Sequence, residues 1–254
     1  GDLLAGLAIT LGIPSVDGVP RDGGAARAAM AELADLAADG DARLRGQVAA
    51  CSLGVLSGPL HHRDRLRWRQ EYETLLPAGP NVLARIQHLY WSTSLALEAG
   101  ELIEADRRLR DWERLAARSD SSFWRWRAAM ARATLLYAQG RLDAAEQVAV
   151  GNAGLVASLN PEMAFRVVTG FLFAIRREQG RIDEIAGLDE TKLGILAAAV
   201  AADRGDLDDA RRLLQPVVDA AAATGPEDLY WLCLQSLVAT VADLVGDAPA
   251  SRAV

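Results

Sequence analysis

The 254-residue chain contains one lysine, Lys192, against 26 arginines. A phosphate-binding loop needs a Gly-Lys pair before Ser or Thr, so that an ammonium reaches the β- and γ-phosphates. No Gly-Lys pair occurs, and nucleotide hydrolysis of that type must lie elsewhere. Cysteine is scarce: Cys51 and Cys233 stand far apart, which argues against a disulfide framework and for a reducing compartment. The three histidines, His61, His62 and His88, form no HxxxH, and no CxxC accompanies them. A zinc site needs more ligands at workable spacing, so no metal or other cofactor is expected, and His61 and His62 read as part of a solvated helix face. Gly-x-Ser-x-Gly is missing. Both cysteines lie in apolar helical stretches, where a thiol usually behaves as a small hydrophobe. No catalytic residue is picked out.

Long apolar runs are lacking too. Leu193–Ala202 and Val167–Ile175 are too short to span a bilayer. The opening GDLLAGLAIT has no basic segment ahead of its apolar run, so no signal peptide is read. Basic charge is outweighed, 27 residues against 34 acidic ones, for a net −7. Direct nucleic-acid contact is disfavoured by that sign. A cytoplasmic location without membrane contact is the expectation. With no initiator methionine and an end at SRAV inside a repeat, both termini read as cuts from a longer polypeptide.

What the chain does have is apolar material, 51% of residues, and a period. GELIEA begins at Gly100, GRLDAA at Gly140, GRIDEI at Gly180 and GDLDDA at Gly205. A weaker copy, GPLHHR, begins at Gly58, and a last one, GDAPAS, at Gly246; the spacings are 42, 40, 40, 25 and 41 residues. Each element has a reason. Glycine ends a helix in the left-handed conformation. The Leu or Ile two residues later returns to the core. The small residue at the fifth place lets paired helices approach closely. Asp143, Asp183, Glu184, Asp208 and Asp209 fall in first turns, where the helix dipole favours negative charge.

Between the glycines the apolar period is helical: Leu83, Ile86, Tyr90 and Leu97 recur at three-, four- and seven-residue steps. Pro80, Pro161 and Pro226 stand near helix starts. The pattern predicts helices over 25–38, 41–57, 62–76, 81–98, 101–117, 122–138, 141–158, 162–178, 191–203, 206–222 and 227–244. The 25-residue interval leaves room only for a truncated helix near 181–187. Residues 1–24 read as a short helix and loop, and 25–254 as one repeat domain truncated at its C-terminus. Helix pairs of this size cannot hide their apolar faces alone, but stacked pairs can. The expected fold is therefore all-α, an α-solenoid of antiparallel helix pairs with a concave surface.

The strings RLRGQVAACSLGVLSG, FWRWRAAMARATLLYAQGRLDAAEQVA, FLFAIRREQGRIDEI and LAAAVAADRGDLDDARRLLQPVV resemble tetratricopeptide-like repeats of the long-unit kind. They look like the helical region of LuxR-type regulators related to the maltose-regulon activator, and of STAND ATPases linked to nucleotide cyclases. The likeness covers roughly residues 25–252. It implies a right-handed superhelix serving as sensor or scaffold beside an ATPase module and a DNA-binding or cyclase output domain. The pattern's Trp and Leu are out of register: the slots seven and eight before Gly140 hold Ala133 and Arg132.

Aligned on the turn glycine, places five, nine and twelve before it are mostly apolar and read as the packed face: Leu95, Trp91 and His88, then Leu135, Ala131 and Ala128, then Ile175, Phe171 and Val168. Places four, eight and fifteen carry Arg85, Arg125, Arg132 and Arg176. Such a row could clamp carboxylates or phosphates; it could equally be a solvated face. Trp91, Trp124 and Trp126, with Phe123 and the pairs Tyr90-Trp91 and Tyr230-Trp231, are either inter-helix packing or a wall of the groove. The expectation is a non-catalytic sensor or interaction domain that binds a protein partner, an intramolecular ATPase module or a small-molecule effector. A passive oligomerisation scaffold and an enzyme with a helical active site are the alternatives.

Overall fold

A computed structural model describes residues 23–76, 82–185, 190–222 and 231–247. The expected entry helix and loop before residue 23, Pro80, Pro226 and Tyr230, and the side chains of Lys192, Trp231 and Cys233, lie outside the described residues. Among the described residues every regular element is helical and none is a strand. In chain order they are α1 (Gly23–Ala37), α2 (Ala42–Val55), a 3-10 turn (Pro59–His61), α3 (His62–Leu75), α4 (Val82–Glu98), α5 (Leu102–Ala117) and α6 (Ser122–Ala138). There follow α7 (Leu142–Gly151), α8 (Gly154–Ala157), α9 (Pro161–Glu178), a second 3-10 turn (Ile182–Glu184), α10 (Glu190–Asp203), α11 (Leu207–Ala222) and α12 (Trp231–Leu244).

The glycine turns share one geometry. Gly100, Gly140, Gly180, Gly205 and Gly246 all have positive φ, between 68° and 84°. At each, the residue after the glycine donates its N–H to the carbonyl five residues back, and the glycine donates to the one three back. Glu101 bonds Ala96 at 2.8 Å and Gly100 bonds Leu97 at 3.0 Å; Asp206 bonds Ala201 at 2.9 Å and Gly205 bonds Ala202 at 3.0 Å. This is the Schellman closure, which satisfies carbonyls that the helix end leaves open. A Cβ built on any of the five would meet nothing within 4 Å, so backbone angle and not crowding explains the glycine. At the fifth place, Ala105, Ala145 and Ala210 are fully buried, and Ile185 is buried as well.

Gly58 departs from this rule. Its φ of −67° and ψ of 159° are extended, and it caps the first 3-10 turn. The reason is the next residue: Pro59 disfavours helical angles for the residue before it. The Leu or Ile two places after each glycine is half-buried at Leu102, Leu142 and Ile182, but Leu207 is 37% exposed. The helix expected over 141–158 is broken. Asn152 turns its side-chain amide onto the Val148 carbonyl at 2.8 Å, and α8 restarts two residues later. Such a side chain competes with the helix ladder for its own carbonyls. The truncated element is the 3-10 turn Ile182–Glu184. Pro161 opens α9, whose N-cap Asn160 accepts from the Met163 N–H at 2.9 Å.

The described residues gather into two compact units, with the boundary between Leu135 and Leu136, where the sequence reading treats 25–254 as one repeat domain. In the first unit α1–α2, α2–α3, α2–α4 and α4–α5 pack together. Its interior holds large rings: Trp112, Trp126 and Tyr72 have no exposed surface. In the second, α10 packs on α11 and α12, and α9 on α7 and α8. Its centre is small and aliphatic, with Leu196, Ala197, Ala198, Ala199, Val200, Val238 and Val241. No described helix is long and apolar enough to cross a membrane.

Candidate functional site

The arginine row divides by what its guanidinium groups already hold. Arg85 and Arg125 are exposed. Arg132 is taken: it donates to Glu113 at 2.9 and 2.7 Å and to Asp106 at 2.6 Å. These two carboxylates hold its pKa above the usual arginine range, the Glu113 bond contributing most. In the second unit, Arg176 donates to Glu146 at 2.7 and 3.1 Å and to the Glu184 carbonyl at 3.0 Å. A carboxylate of the same chain that takes two of a guanidinium's bonds leaves little donor capacity for a ligand. Places four and eight before Gly100 hold Ala96 and Ser92, both fully buried.

The tryptophans divide similarly. Trp126 is fully buried in the first unit. Trp124 is half-buried among Phe123 and Tyr90, at ring-centre distances of 5.2 and 6.3 Å. Trp91 is half-buried on α4, and a Cβ placed on Gly54 of α2 would come within 2.8 Å of its Nε1. Gly54 is therefore a contact glycine, outside the hinge pattern. Arg127 lies 4.5 Å over the Tyr90 ring, a cation–π arrangement. His61, expected on a solvated face, is buried at 5% exposure, while its neighbour Leu60 is 63% exposed. The first 3-10 turn rotates this pair out of the helical register that the sequence suggested.

A different set of residues forms a cleft of about 340 Å³ inside the first unit. It is lined by Glu73 and Leu76 at the end of α3, by Arg85, His88 and Leu89 at the start of α4, and by Arg107, Arg108 and Asp111 of α5. The i, i+3, i+4 spacing on each helix puts these side chains on one face. Beside it, the Tyr72 ring stacks on His88 with centroids 4.1 Å apart and planes 13° apart. Tyr72 has no exposed surface, and its hydroxyl has no hydrogen-bond partner among the described residues. Ser92 Oγ sits 3.4 Å from each His88 ring nitrogen, and Glu73 lies 3.8 Å away.

Burial holds the His88 pKa down to about 3, and the charges of Arg108, Arg69 and Arg85 push the same way. The ring is neutral at pH 7, with one donor and one acceptor nitrogen. Burial pushes Tyr72 up to about 12, while Arg85 works in the opposite direction. Both carboxylates that line the cleft are engaged. Glu73 accepts from Arg108 at 2.9 Å, and Asp111 pairs with Arg114. Arg107 and Arg108 share Glu104, whose pKa falls to about 2, chiefly through its hydrogen bond to Arg107.

Sequence reasoning missed Glu73 and Arg108 as site residues, and Tyr72 as the ring behind His88. It placed His88 only on a packed face. Tyr72 and His88 stand on different helices, and no fixed spacing signals a stack of that kind. Elsewhere, the Cys51 thiol is free and buried, and burial pushes its pKa up to about 11, so it is not a reactive thiolate. Among the described residues no group of three or more His, Cys, Asp or Glu is placed to hold a metal ion. No protein-family model matches the chain, and no curated protein or solved structure matches it.

Proposed function

We propose that this chain is the non-catalytic sensor and protein-interaction segment of a larger, cytoplasmic signalling or transcriptional regulator, built as a tetratricopeptide-like α-solenoid. The observation that carries this reading is the recurrence of one self-closing turn at Gly100, Gly140, Gly180, Gly205 and Gly246, four of them with a buried residue at the fifth place. Packing within each unit supports it. Helices touch the next and the next but one, as α2 does with α3 and α4, and α10 with α11 and α12. Stacked pairs of that kind bury a continuous core and offer a concave surface. A ligand or partner on that surface would bias how the segment docks on an ATPase module, which requires different affinities for two states.

The test is a thermal-melt series on the purified chain with a neutral sugar, a nucleotide, an organic acid and a peptide mixture. A ligand specific to the folded state raises the melting temperature by mass action. The expected result is a rise for one class. Flat melts with every class, together with self-association in sedimentation, would favour the passive scaffold and overturn the sensor reading.

A further inference from the structure

The cleft between α3, α4 and α5 carries cationic charge that the chain does not itself neutralise. Of the arginines around it, Arg107 and Arg108 are paired with Glu104 and Glu73. Arg85 lines the cleft and is exposed. Arg69, on the α3 face that also carries Tyr72 and Glu73, acts electrostatically on His88. Among the described residues neither Arg69 nor Arg85 has a carboxylate within ion-pair reach, and the Arg69 Nε is buried without a hydrogen-bond partner. The Tyr72 hydroxyl is likewise buried and unpartnered, and it feels the charge of Arg85. Neither Arg69 nor Tyr72 lines the open space; the Tyr72 ring lies behind His88, and among the described residues Arg85 is the unpaired cation of the lining.

We propose that this cleft binds the phosphate or carboxylate group of a small organic molecule, with Arg85 as its cationic partner. The chemistry is oxyanion recognition, in which charged donors give the shorter and stronger hydrogen bonds. About 340 Å³ exceeds the needs of a bare ion and falls at the lower end of small-molecule sites. His88, a residue of the lining, can donate to the anion from one ring nitrogen. Glu73 and Asp111 do not repel the ligand outright, because Arg108 and Arg114 already hold them. The proposal rests on the effector-binding reading above and narrows it to one ligand class and one place.

The experiment is calorimetric titration of the intact chain with glucose 6-phosphate, citrate, inorganic phosphate and, as the neutral control, glucose. Saturable binding is expected for glucose 6-phosphate or citrate and not for glucose. Which of the two binds separates the phosphate source from the carboxylate source. Arg85→Gln should weaken that binding about tenfold or more, in line with loss of a charged donor. Arg125→Gln, an exposed arginine on α6 outside the cleft, should leave it unchanged. Melting curves of the variants establish that each is folded, and Arg85 is exposed enough to be replaced without loss of the fold. Equal binding by the wild type and Arg85→Gln overturns the proposal, as does the absence of saturable binding by both organic anions up to about 10 mM, ten times a millimolar dissociation constant. Binding of inorganic phosphate alone also overturns it and marks an adventitious ion only. A melting rise with glucose or peptide that survives Arg85→Gln overturns the anion site while leaving the sensor reading intact. Silence from every ligand class, together with self-association in sedimentation, overturns both.

Discussion

The two compact units solve the burial problem with different materials. The first encloses large and polar side chains. Trp112, Trp126 and Tyr72 are sealed in, and the buried polar residues Ser52, Ser57, His61, Arg65, His88, Ser92 and Thr93 all lie in its α2–α4 stretch. Arg65 is only 2% exposed and grips Glu98 through two bonds of 2.8 and 2.7 Å. The second unit centres on alanines and valines packed across α10, α11 and α12. The same glycine turn appears in both. The turn therefore specifies the helix pair, and the residues between turns decide whether a unit is dry packing or carries polar groups that can do chemistry.

The largest effect expected from this contrast is Trp112→Ala in the first unit. Emptying a fully buried indole site should cost about 3–5 kcal/mol, read by denaturant titration. Val241→Ala, at a fully buried place in the second unit, removes only two methyl groups and should cost about 1–2 kcal/mol. Equal costs would break the comparison.

Next comes Gly54→Ala. The new methyl carbon would stand 2.8 Å from Trp91 Nε1 and 3.1 Å from Cε2. Overpacking of this kind costs about 1–3 kcal/mol. A Trp91→Leu background should relieve most of it, and persistence of the full cost there would show that the indole is not the obstacle.

The third effect is a pH response of His88 in the first unit. The unfolded chain takes up a proton on His88 near pH 6.5, and the folded chain resists until about 3. Between those values protons favour the unfolded state. Stability contributed by this group is full above 6.5 and falls as pH drops, by at most about 1.4 kcal/mol per pH unit. Comparing unfolding free energies at pH 7 and 5 for the wild type and His88→Gln isolates it, because losses from carboxylates such as Glu104 are common to both proteins. Parallel losses in both proteins would remove His88 from the account.

The smallest effect tests what the units share. Gly140→Ala and Gly205→Ala place a methyl group in open space, so each should cost only the left-handed backbone penalty, about 1–2 kcal/mol. A large difference between them would mean that the turns are not equivalent.

Much of the fold was legible because its punctuation is local. The turn glycines, Pro161 and the 25-residue interval each act within a few residues, and the predicted helix limits fall within one or two residues of those seen for α2 to α6. The failures have local causes too: Pro59 overrides Gly58, and Asn152 cuts one helix into α7 and α8. The site was far less legible. Arg132 and Arg176 stood out by register, yet their guanidinium groups close onto Glu113, Asp106 and Glu146. Arg69, Tyr72 and His88 meet only through the packing of α3 on α4, and a helical period along one segment says nothing about such meetings.

The Schellman turns carry one more consequence, for kinetics. Each closes between backbone atoms no more than five residues apart and waits for no distant part of the chain. Loop-closure entropy is therefore small at every joint. A chain of low contact order reaches its native pairings quickly. Each of these five joints can therefore form without waiting for another.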